Sequence, residues 1–262
     1  MKIDEIQEYL QTKKLGKKIL FLHKTDSTND IAKKLANYEA SEGTIVVAET
    51  QTAGRGRLGR EWFSPKGGLY FSTILKPKIT VKESVKLVFV AGLAVAEVLH
   101  EKYGLHVETK WPNDVLVGGR KICGILSEMK TRGEKVDYAI IGVGINANVK
   151  VKKEFPEELK TVATSIEDEL GRKIKLEELL RLLLENLENV YEQFMKEGFT
   201  QVLKKWKRYA SFIGKKVEII NEVGRLHCLA LDVDDDGALV VRLEDGTVKH
   251  VFFGDVSLQI NK

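Results

Sequence analysis

Hydrophobic residues recur along the chain with two different periods, which predict an alternation of strands and helices. Alternating apolar and polar positions, rich in strand-forming residues, predict strands at residues 18–23, 44–48, 68–75, 106–110, 115–117, 121–130 and 136–146. Spacings of three and four predict helices at residues 3–10, after the capping side chains of residues 26–29, at 85–103 and within 163–209. The later strands are closely spaced and joined by glycine turns, as antiparallel hairpins are. The pattern therefore predicts an α+β fold.

The pattern changes beyond Gly214, where short strands are separated by turns at residues 221–224, 234–237 and 244–246. This spacing is typical of a small antiparallel barrel. We therefore expect two domains, a large one at residues 1–212 and a small one at residues 213–262.

The composition, with 43% hydrophobic and 31% charged residues, is that of a soluble globular protein. The net charge of +4 is spread along the chain, so the sequence lacks the basic patch of a dedicated nucleic-acid-binding protein. No apolar run approaches the ~18–20 residues that cross a bilayer, and no secretory signal is present, so we expect a cytoplasmic protein without membrane partners. Cys123 and Cys228 lack zinc-ligand spacing and are expected to be buried free thiols.

Residues 54–59 read GRGRLG, which matches the letters of a dinucleotide-binding turn. In that turn the glycines open a helix, whereas here Pro65 and two glycines soon follow and prevent a regular helix. The chain also lacks the G-x-x-x-x-G-K-[ST] phosphate loop. Both common nucleotide motifs are thus disfavoured.

The segment at residues 49–67 is long, polar and rich in glycine, and loops of this length in compact domains are usually functional. It interleaves glycines with Arg55, Arg57 and Arg60, which combines a mobile backbone with permanent positive charges. This arrangement suits the binding of phosphates. The alternative interpretation is a flexible surface loop whose arginines form ordinary ion pairs.

Two further segments carry candidate chemistry. In the KWPND sequence at residues 110–114, Lys110 ends a strand and is expected to point into a site, although a hairpin turn with an exposed lysine is the alternative. The GVGIN sequence at residues 142–146 ends another strand with Gly142, Gly144 and the amide of Asn146. Small residues beside an amide favour a binding site for a purine.

Taken together and in order, five motifs resemble the biotin protein ligase family: DSTN at residues 26–29, QTAGRGRLGREWFSP at 51–65, KWPND at 110–114, KICGIL at 121–126 and GVGIN at 142–146. The resemblance implies a mixed, largely antiparallel sheet with helices packed on one side, followed by a small SH3-like β-barrel. It implies an enzyme that converts biotin and ATP to biotinyl-5'-AMP and transfers the biotin to a lysine of a biotin carboxyl carrier protein. Family members that also act as repressors carry an N-terminal DNA-binding domain, and the first predicted strand starts too early for one here, so no DNA partner is expected.

The resemblance also implies roles for particular residues. Strand residues near Gly124 are expected to leave room for the apolar part of biotin. The implied biotin site consists of Ser27, Thr28, Asn29, Gln51, Arg55, Gly56, Arg57, Lys110 and Gly124. The implied ATP site consists of Arg57, Arg60, Trp62, Lys110 and Asn146.

A carboxylate that attacks ATP is already ionised, so the first step needs neutralisation of charge and no general base. We therefore expect Lys110 and Arg57 to be catalytic, with Mg²⁺ assisting. Residues 54–64 are expected to close over the adenylate and exclude water. Asp114 is expected either to orient the magnesium ion or to accept the proton of the acceptor lysine.

Two other functions remain as alternatives at this point. A lipoate or octanoyl protein ligase has the same fold and also uses a carboxylic acid with an apolar, sulfur-containing chain. A non-catalytic ligand sensor or regulator would bind the ligand without releasing pyrophosphate. An exposed sheet edge also makes a homodimer an expectation to test.

Overall fold

The computed structural model describes residues 1–221 and 224–258, which form two β-sheets and the helices around the larger one. The α+β class predicted from the sequence is confirmed. Residues 222–223 and 259–262 of the predicted second domain lie outside the described residues.

The larger sheet has seven strands: β1 (Ile19–Thr25), β2 (Ile45–Gln51), β3 (Leu69–Leu75), β4 (Val107–Lys110), β5 (Asp114–Val117), β6 (Arg120–Arg132) and β7 (Lys135–Ile145). Their order across the sheet is β1-β2-β3-β7-β6-β5-β4. β1 and β2 are parallel, and the other neighbours are antiparallel. Between β5 and β6, Gly118 and Gly119 have φ of 56° and 72°, as a two-residue hairpin turn requires.

The helices are α1 (Ile3–Tyr9), α2 (Thr28–Asn37), α3 (Val81–Ser84), α4 (Leu87–Tyr103), α5 (Val151–Glu154), α6 (Ile166–Leu170), α7 (Leu176–Glu197) and α8 (Phe199–Lys207). The helix predicted at residues 85–103 begins at Leu87, and the separate α3 before it is held by a capping box between Thr80 and Glu83. The predicted helical region at 163–209 is three helices, because Gly171 and Gly198 interrupt it with positive φ. The leucine stripe of α7 is buried, as its spacing predicts.

The two faces of the larger sheet pack against different partners, since successive side chains of a strand point to opposite sides. Phe71 and Ile141 belong to the main core, which α4, α7 and α8 cover. Ile74 and Ile140 belong to a smaller cluster on the other face, where they pack with Ala32 of α2. The helices of the main core thus lie on one side, as expected, and α2 packs on the opposite face.

The smaller sheet contains β8 (Lys216–Asn221), β9 (Gly224–Val233), β10 (Leu239–Arg242), β11 (Val248–Val251) and β12 (Asp255–Leu258), in the order β11-β10-β9-β8-β12. Each neighbouring pair is antiparallel. Over residues 1–221 and 224–258, no pairing between β11 and β12 closes this sheet into a barrel.

The two sheets share one hydrophobic cluster, to which the smaller sheet contributes Val217, Ala230 and Val241. Trp111 is also buried there, and its Nε1 donates to the carbonyl oxygen of Gly237 at 3.0 Å. The division into domains at residues 212 and 213 falls between α8 and β8 and stays a prediction, because packing is continuous across it. Among the described residues, no helix has the length and apolar character to span a membrane.

Candidate active site

A cavity of about 690 Å³, measured with the open space at its mouth, lies on the α2 face of the larger sheet. Alternate residues of β6 and β7 form its floor. Leu126 is paired with Gly142, and two positions further along Gly124 is paired with Gly144. Glycines at three of these four positions leave a depression in the sheet.

The indole of Trp62 lies on a platform made by Gly124 and Gly144. A Cβ atom at Gly124 would lie 2.7 Å from Trp62 Cζ3, and one at Gly144 would lie 2.4 Å from Nε1. These separations are too short for nonbonded atoms, so both positions require glycine while the indole is there. The space above Gly124, expected to receive the rings of biotin, is thus occupied by Trp62 in this structure, and Trp62 Nε1 is buried without a hydrogen-bond partner in the described part of the chain.

Polar groups surround the N-terminus of α2, where Ser27, Thr28 and Asn29 are all buried. Gln51 Oε1 accepts hydrogen bonds from the backbone N–H of Thr28 at 2.8 Å and from its hydroxyl at 3.1 Å. Gln51 Nε2 donates to Ser64 Oγ at 2.9 Å. These contacts fix the hydroxyl and amide groups that a ureido ring needs as partners.

Glu128 of β6 organises this polar end of the cavity. Its carboxylate accepts hydrogen bonds from Asn29 Nδ2 at 2.7 Å and Arg55 Nη2 at 3.1 Å, and it also binds Lys33. Ser72 Oγ donates to Asn29 Oδ1 at 2.6 Å, so both atoms of the Asn29 amide are engaged. Burial raises the pKa of the Glu128 carboxyl, but the hydrogen bonds from Lys33 and Asn29 and the charge of Arg55 outweigh it, and the net pKa is lowered.

The arginines of the loop divide into two groups. Arg55 points to the polar end, where it contacts Asp30 at 2.5 Å as well as Glu128. Arg57 Nη1 donates to Asn113 Oδ1 at 3.2 Å and contacts Asp255 of β12 at 3.4 Å, and Arg60 binds the other oxygen of Asp255. The backbone is tightened by a short 3₁₀ turn at Arg57–Gly59.

Burial lowers the pKa of the Arg57 guanidinium, and the charges of Asp255 and Asp114 oppose this effect while Arg60 adds to it. The guanidinium remains charged at neutral pH. Arg57 is thus a partly desolvated cation whose present partners are a carboxylate and an amide, which is the environment that a phosphate group can enter.

Two lysines share the buried carboxylate of Asp114. Lys121 Nζ lies 2.7 Å from Asp114 Oδ1, and Lys110 Nζ lies 3.9 Å from Asp114 Oδ2. Burial lowers the pKa of the Lys110 ammonium, Asp114 opposes this effect, and the charge of Lys121 adds to it. Three charged groups are therefore gathered beside the cavity with a net positive charge.

Asn146 is buried behind Lys121. Its Nδ2 donates to the carbonyl oxygens of Thr164 at 2.9 Å and Lys121 at 3.4 Å. Its Oδ1 is buried and has no hydrogen-bond partner among the described residues. Asn146 Oδ1 is thus available to accept a hydrogen bond, and the role of Asn146 in recognising a purine base stays a prediction.

The structure gathers the predicted site residues around one cavity, and all except Lys110 and Asn146 line it. Lys110 Nζ lies 3.9 Å from Asp114 Oδ2, and Asn146 Nδ2 donates to the carbonyl oxygen of Lys121. Sequence reasoning assigned no role to Lys121, Asn113 or Asp255, which line the cavity, or to Glu128. Lys121 and Asn113 belong to the recognised motifs, whereas Asp255 lies 195 residues from Arg60 in sequence and has no local signal.

Over residues 1–221 and 224–258, no cluster of three or more His, Cys, Asp or Glu side chains could hold a metal ion. Asp114 forms ion pairs with two ammonium groups, but its buried Oδ1 has no well-aligned hydrogen bond among the described residues, and its role as a magnesium ligand stays a prediction. A magnesium ion held mainly by triphosphate oxygens needs no such cluster. Cys123 and Cys228 are free and buried, as expected.

Comparison with known proteins identifies the class of protein that this fold and site define. The model of the biotin/lipoate A/B protein ligase family matches residues 21–146, and that of the biotin protein ligase C-terminal domain matches residues 212–259. The fold is that of the biotin protein ligase from Aquifex aeolicus in complex with biotin and ATP, with a TM-score of 0.80 and 32% identity over 94% of this chain and 100% of that one.

Two relatives in sequence show which family within this class the chain belongs to. The bifunctional ligase/repressor BirA of Bacillus subtilis is 38% identical over 97% of this chain and 78% of the relative. The biotin–acetyl-CoA-carboxylase ligase of Paracoccus denitrificans is 34% identical over 89% of this chain and 99% of the relative. The chain belongs to the biotin protein ligase family and is an ATP-dependent ligase.

Proposed function

We propose that this chain activates biotin with ATP and transfers it to one lysine of a biotin carboxyl carrier protein. The observation that carries the proposal is the polarity of the cavity. Hydrogen-bonding groups of Thr28, Asn29 and Gln51 lie at one end, where Arg55 is paired with Glu128 and Asp30, and the charges of Arg57 and Lys121 lie at the other, with Trp62 between them. A ligand with a neutral polar ring and a distant carboxylate fits this order.

In the first step, a carboxylate oxygen of biotin forms a bond to the α-phosphorus of ATP. The bond from that phosphorus to the bridging oxygen breaks, and pyrophosphate leaves with the electron pair. No proton is transferred, so the chain must neutralise two anions that approach each other. Lys110 and Arg57 are the proposed catalytic cations, supported by their position next to Asp114 and Asp255.

In the second step, the amine of the acceptor lysine attacks the carbonyl carbon of biotinyl-5'-AMP. An amide bond forms, the carbonyl–oxygen bond to the phosphate breaks, and AMP leaves with the electron pair. The attacking lysine loses one proton before or during the attack. Asp114 stays the candidate acceptor for that proton.

The loop at residues 54–64 is the proposed cover of the adenylate. It already folds over the sheet, because the carbonyl oxygen of Gly54 accepts from the backbone N–H of Trp62 at 2.8 Å and Arg57 reaches the carbonyl oxygen of Gly254 at 3.2 Å. For biotin to reach Gly124, the indole of Trp62 must move. A loop that moves aside for substrates and returns would exclude water from the mixed anhydride.

Magnesium is proposed to enter with the triphosphate and to supply further positive charge there. The finer partner and location predictions, a homodimer and the cytoplasm, are part of the same proposal. Two free buried thiols agree with a reducing compartment.

Incubation of the chain with labelled biotin, ATP, Mg²⁺ and a carrier domain tests the proposal. We expect label on a single lysine of the carrier and biotin-dependent exchange of pyrophosphate into ATP. Lipoate in place of biotin is the control, together with calorimetry of both acids in the presence of an ATP analogue. Faster transfer of lipoate than of biotin, or binding of biotin without pyrophosphate exchange, would contradict the proposal.

A further inference from the structure

The turn at residues 234–238, which joins β9 to β10 of the smaller sheet, contacts the KWPND segment of the larger sheet. The carbonyl oxygen of Gly237 accepts a hydrogen bond from Trp111 Nε1 at 3.0 Å, and Trp111 is buried. A buried indole N–H that lost this acceptor would carry the cost of an unpaired polar group. The position of Gly237 therefore restrains the position of Trp111.

The side chain of Asp234 holds this turn in shape. Its Oδ1 accepts hydrogen bonds from the backbone N–H groups of Asp236 and Ala238, both at 2.9 Å. The backbone adds two hydrogen bonds at 2.9 Å, from the N–H of Asp234 to the carbonyl oxygen of Ala238 and from the N–H of Gly237 to the carbonyl oxygen of Asp234. Asp234 Oδ2 lies 2.6 Å from Nδ1 of His250 on β11. One carboxylate thus connects both ends of the turn.

The turn is also packed against the main core. Gly237 has a φ of 80°, and a Cβ atom there would lie 3.1 Å from Cε2 of Phe89 on α4. The ring of Phe89 lies edge-on to that of Trp206, with their centres 4.9 Å apart. At the outer side of the turn, Asp236 pairs with Lys82 at 2.9 Å. The carbonyl of Gly237 is therefore presented to Trp111 from a fixed place.

Trp111 follows Lys110 directly and begins the turn between β4 and β5. The other side of that turn is held by β6, because Asn113 Nδ2 donates to the carbonyl oxygen of Ile125 at 2.8 Å and its own carbonyl oxygen accepts from the Ile125 N–H at 2.9 Å. Lys110 and Asp114 are paired at the base of the turn. The side of the turn that carries Lys110 is thus held by the contact of Trp111 with the smaller sheet.

We propose that Asp234 is a positioning residue for adenylate formation, which fixes Lys110 beside the cavity through the Gly237 carbonyl and the Trp111 indole. The inference rests on the proposed function, in which Lys110 neutralises charge as the carboxylate of biotin approaches ATP. Asp234 itself does not line the cavity. A displacement of a reacting or catalytic group by about 1 Å is enough to lower a rate strongly, so a distant turn that sets this position affects the chemical step.

A purely structural role would be stabilisation of the hairpin turn alone, and the chain offers a matched case of that role. In the turn between β10 and β11, Asp245 Oδ1 accepts from the N–H of Thr247 at 2.9 Å, and Gly246 has a φ of 86°. A Cβ atom at Gly246 would have no neighbour within 4 Å in the described part of the chain, whereas one at Gly237 would contact Phe89. The two turns share their chemistry and differ in their contact with the rest of the molecule.

The test compares Asp234→Ala, which removes the acceptor of two backbone N–H groups, with Asp234→Asn, which keeps an acceptor oxygen. Trp111→Phe removes the indole N–H at the other end of the contact, and Asp245→Ala is the control. Asp234→Ala and Trp111→Phe are each also combined with Lys110→Ala. We measure the single-turnover rate of adenylate formation per folded molecule, the Kd for biotin and the Tm.

We expect Asp234→Ala and Trp111→Phe each to lower the adenylation rate roughly tenfold, because the cation is less well placed. Asp234→Asn should recover most of the rate, and Asp245→Ala should match the wild-type rate whatever its Tm. The Kd for biotin should stay near the wild-type value. In the Lys110→Ala background, the further loss from Asp234→Ala should be at most about twofold, since residues that act through one group are not additive.

An equal loss of rate with and without Lys110 would overturn the inference. So would a wild-type rate in folded Asp234→Ala and Trp111→Phe accompanied by a lowered Tm, which indicates a purely structural turn. If Asp234→Ala does not fold, Trp111→Phe decides the question in the same double-mutant comparison.

A normal rate in Lys110→Ala would also contradict the inference, because Asp234 would then have no catalytic cation to position. All of these outcomes leave the proposed function intact. Absence of biotin-dependent pyrophosphate exchange in the wild-type chain would instead overturn the proposed function.

Discussion

On one face of the larger sheet Phe71 and Ile141 pack into the main core, while on the other face their chain neighbours Ser72 and Gly142 lie under the site residues of α2. The same strands supply both faces, because successive residues of a strand point to opposite sides of the sheet. Large apolar side chains on the first face stabilise the fold. Next to the N-terminus of α2, small and polar residues on the second face leave a cavity, whereas Ile74 and Ile140 on the same face pack against α2. We therefore expect substitutions in the main core and at the cavity to separate effects on stability from effects on chemistry.

The largest expected effect is a loss of unfolding free energy on substitution of a residue in the main core. Ile141→Ala removes a side chain that is 1% exposed in the main core, and we expect a loss of about 2–5 kcal/mol of unfolding free energy. The adenylation rate per folded molecule should stay near that of the wild type. Urea unfolding combined with active-site titration measures both, and a stable but inactive variant would show that the two faces are not separable.

Lys110→Ala is the substitution beside the cavity that is compared with Ile141→Ala. We expect the single-turnover rate of adenylation to fall by roughly 10²–10³-fold, because a charge near the reaction centre is lost. The unfolding free energy should change less than in Ile141→Ala, since Asp114 keeps Lys121 as a partner at 2.7 Å. A normal rate in this variant would remove Lys110 from the catalytic residues.

Glu128→Gln weakens the polar end of the cavity without removing an apolar group. We expect the Kd for biotin to rise about tenfold, because charge-assisted hydrogen bonds to Asn29 and Arg55 become weaker. Calorimetry measures the Kd, with Glu134→Gln as the control, because Glu134 is an exposed residue in the turn after β6. Equal affinities of the two variants would show that Glu128 does not position the amide.

The stability of Glu128→Gln should depend on pH differently from the stability of the wild type. The pKa of Glu128 is lowered on folding from its ordinary value of 4.5, so its contribution to stability is present above pH 4.5 and is lost as the pH falls through the folded pKa. Glu128→Gln should therefore lose less stability on acidification than the wild type.

The smallest of these effects is expected for a substitution in the loop at residues 54–64. Arg57→Gly should still form biotinyl-5'-AMP but release it more readily, because the loop loses its contacts with Asn113 and Asp255. Label on lysines of a bystander protein measures the release. Arg132→Gly is the control, since the side chain of Arg132 is 85% exposed and lies outside the loop. Release at the wild-type level from Arg57→Gly would exclude the loop as the cover.

The sequence predicted those features that depend on local pattern. The stripe of α7, the strands and the cationic loop follow from spacing and from side chains a few positions apart. Asp255 and Glu128 were missed because their roles depend on strand register and on contacts across many residues. The burial of Trp111 against Gly237 could not be predicted, since the position of the smaller sheet is not encoded near the KWPND motif. Trp62 lies on Gly124 and Gly144, and its place in the ATP site stays a prediction.

The smaller sheet contributes more to this enzyme than its size suggests. Asp255 is a counter-ion of both Arg57 and Arg60, and Gly237 accepts the indole N–H of the tryptophan next to Lys110. Truncation of the chain after residue 212 would remove the carboxylate partner of Arg57 and Arg60. It would also remove the hydrogen-bond partner of the Trp111 indole. We therefore expect removal of the residues after the cut to disturb the cationic loop and the KWPND segment together.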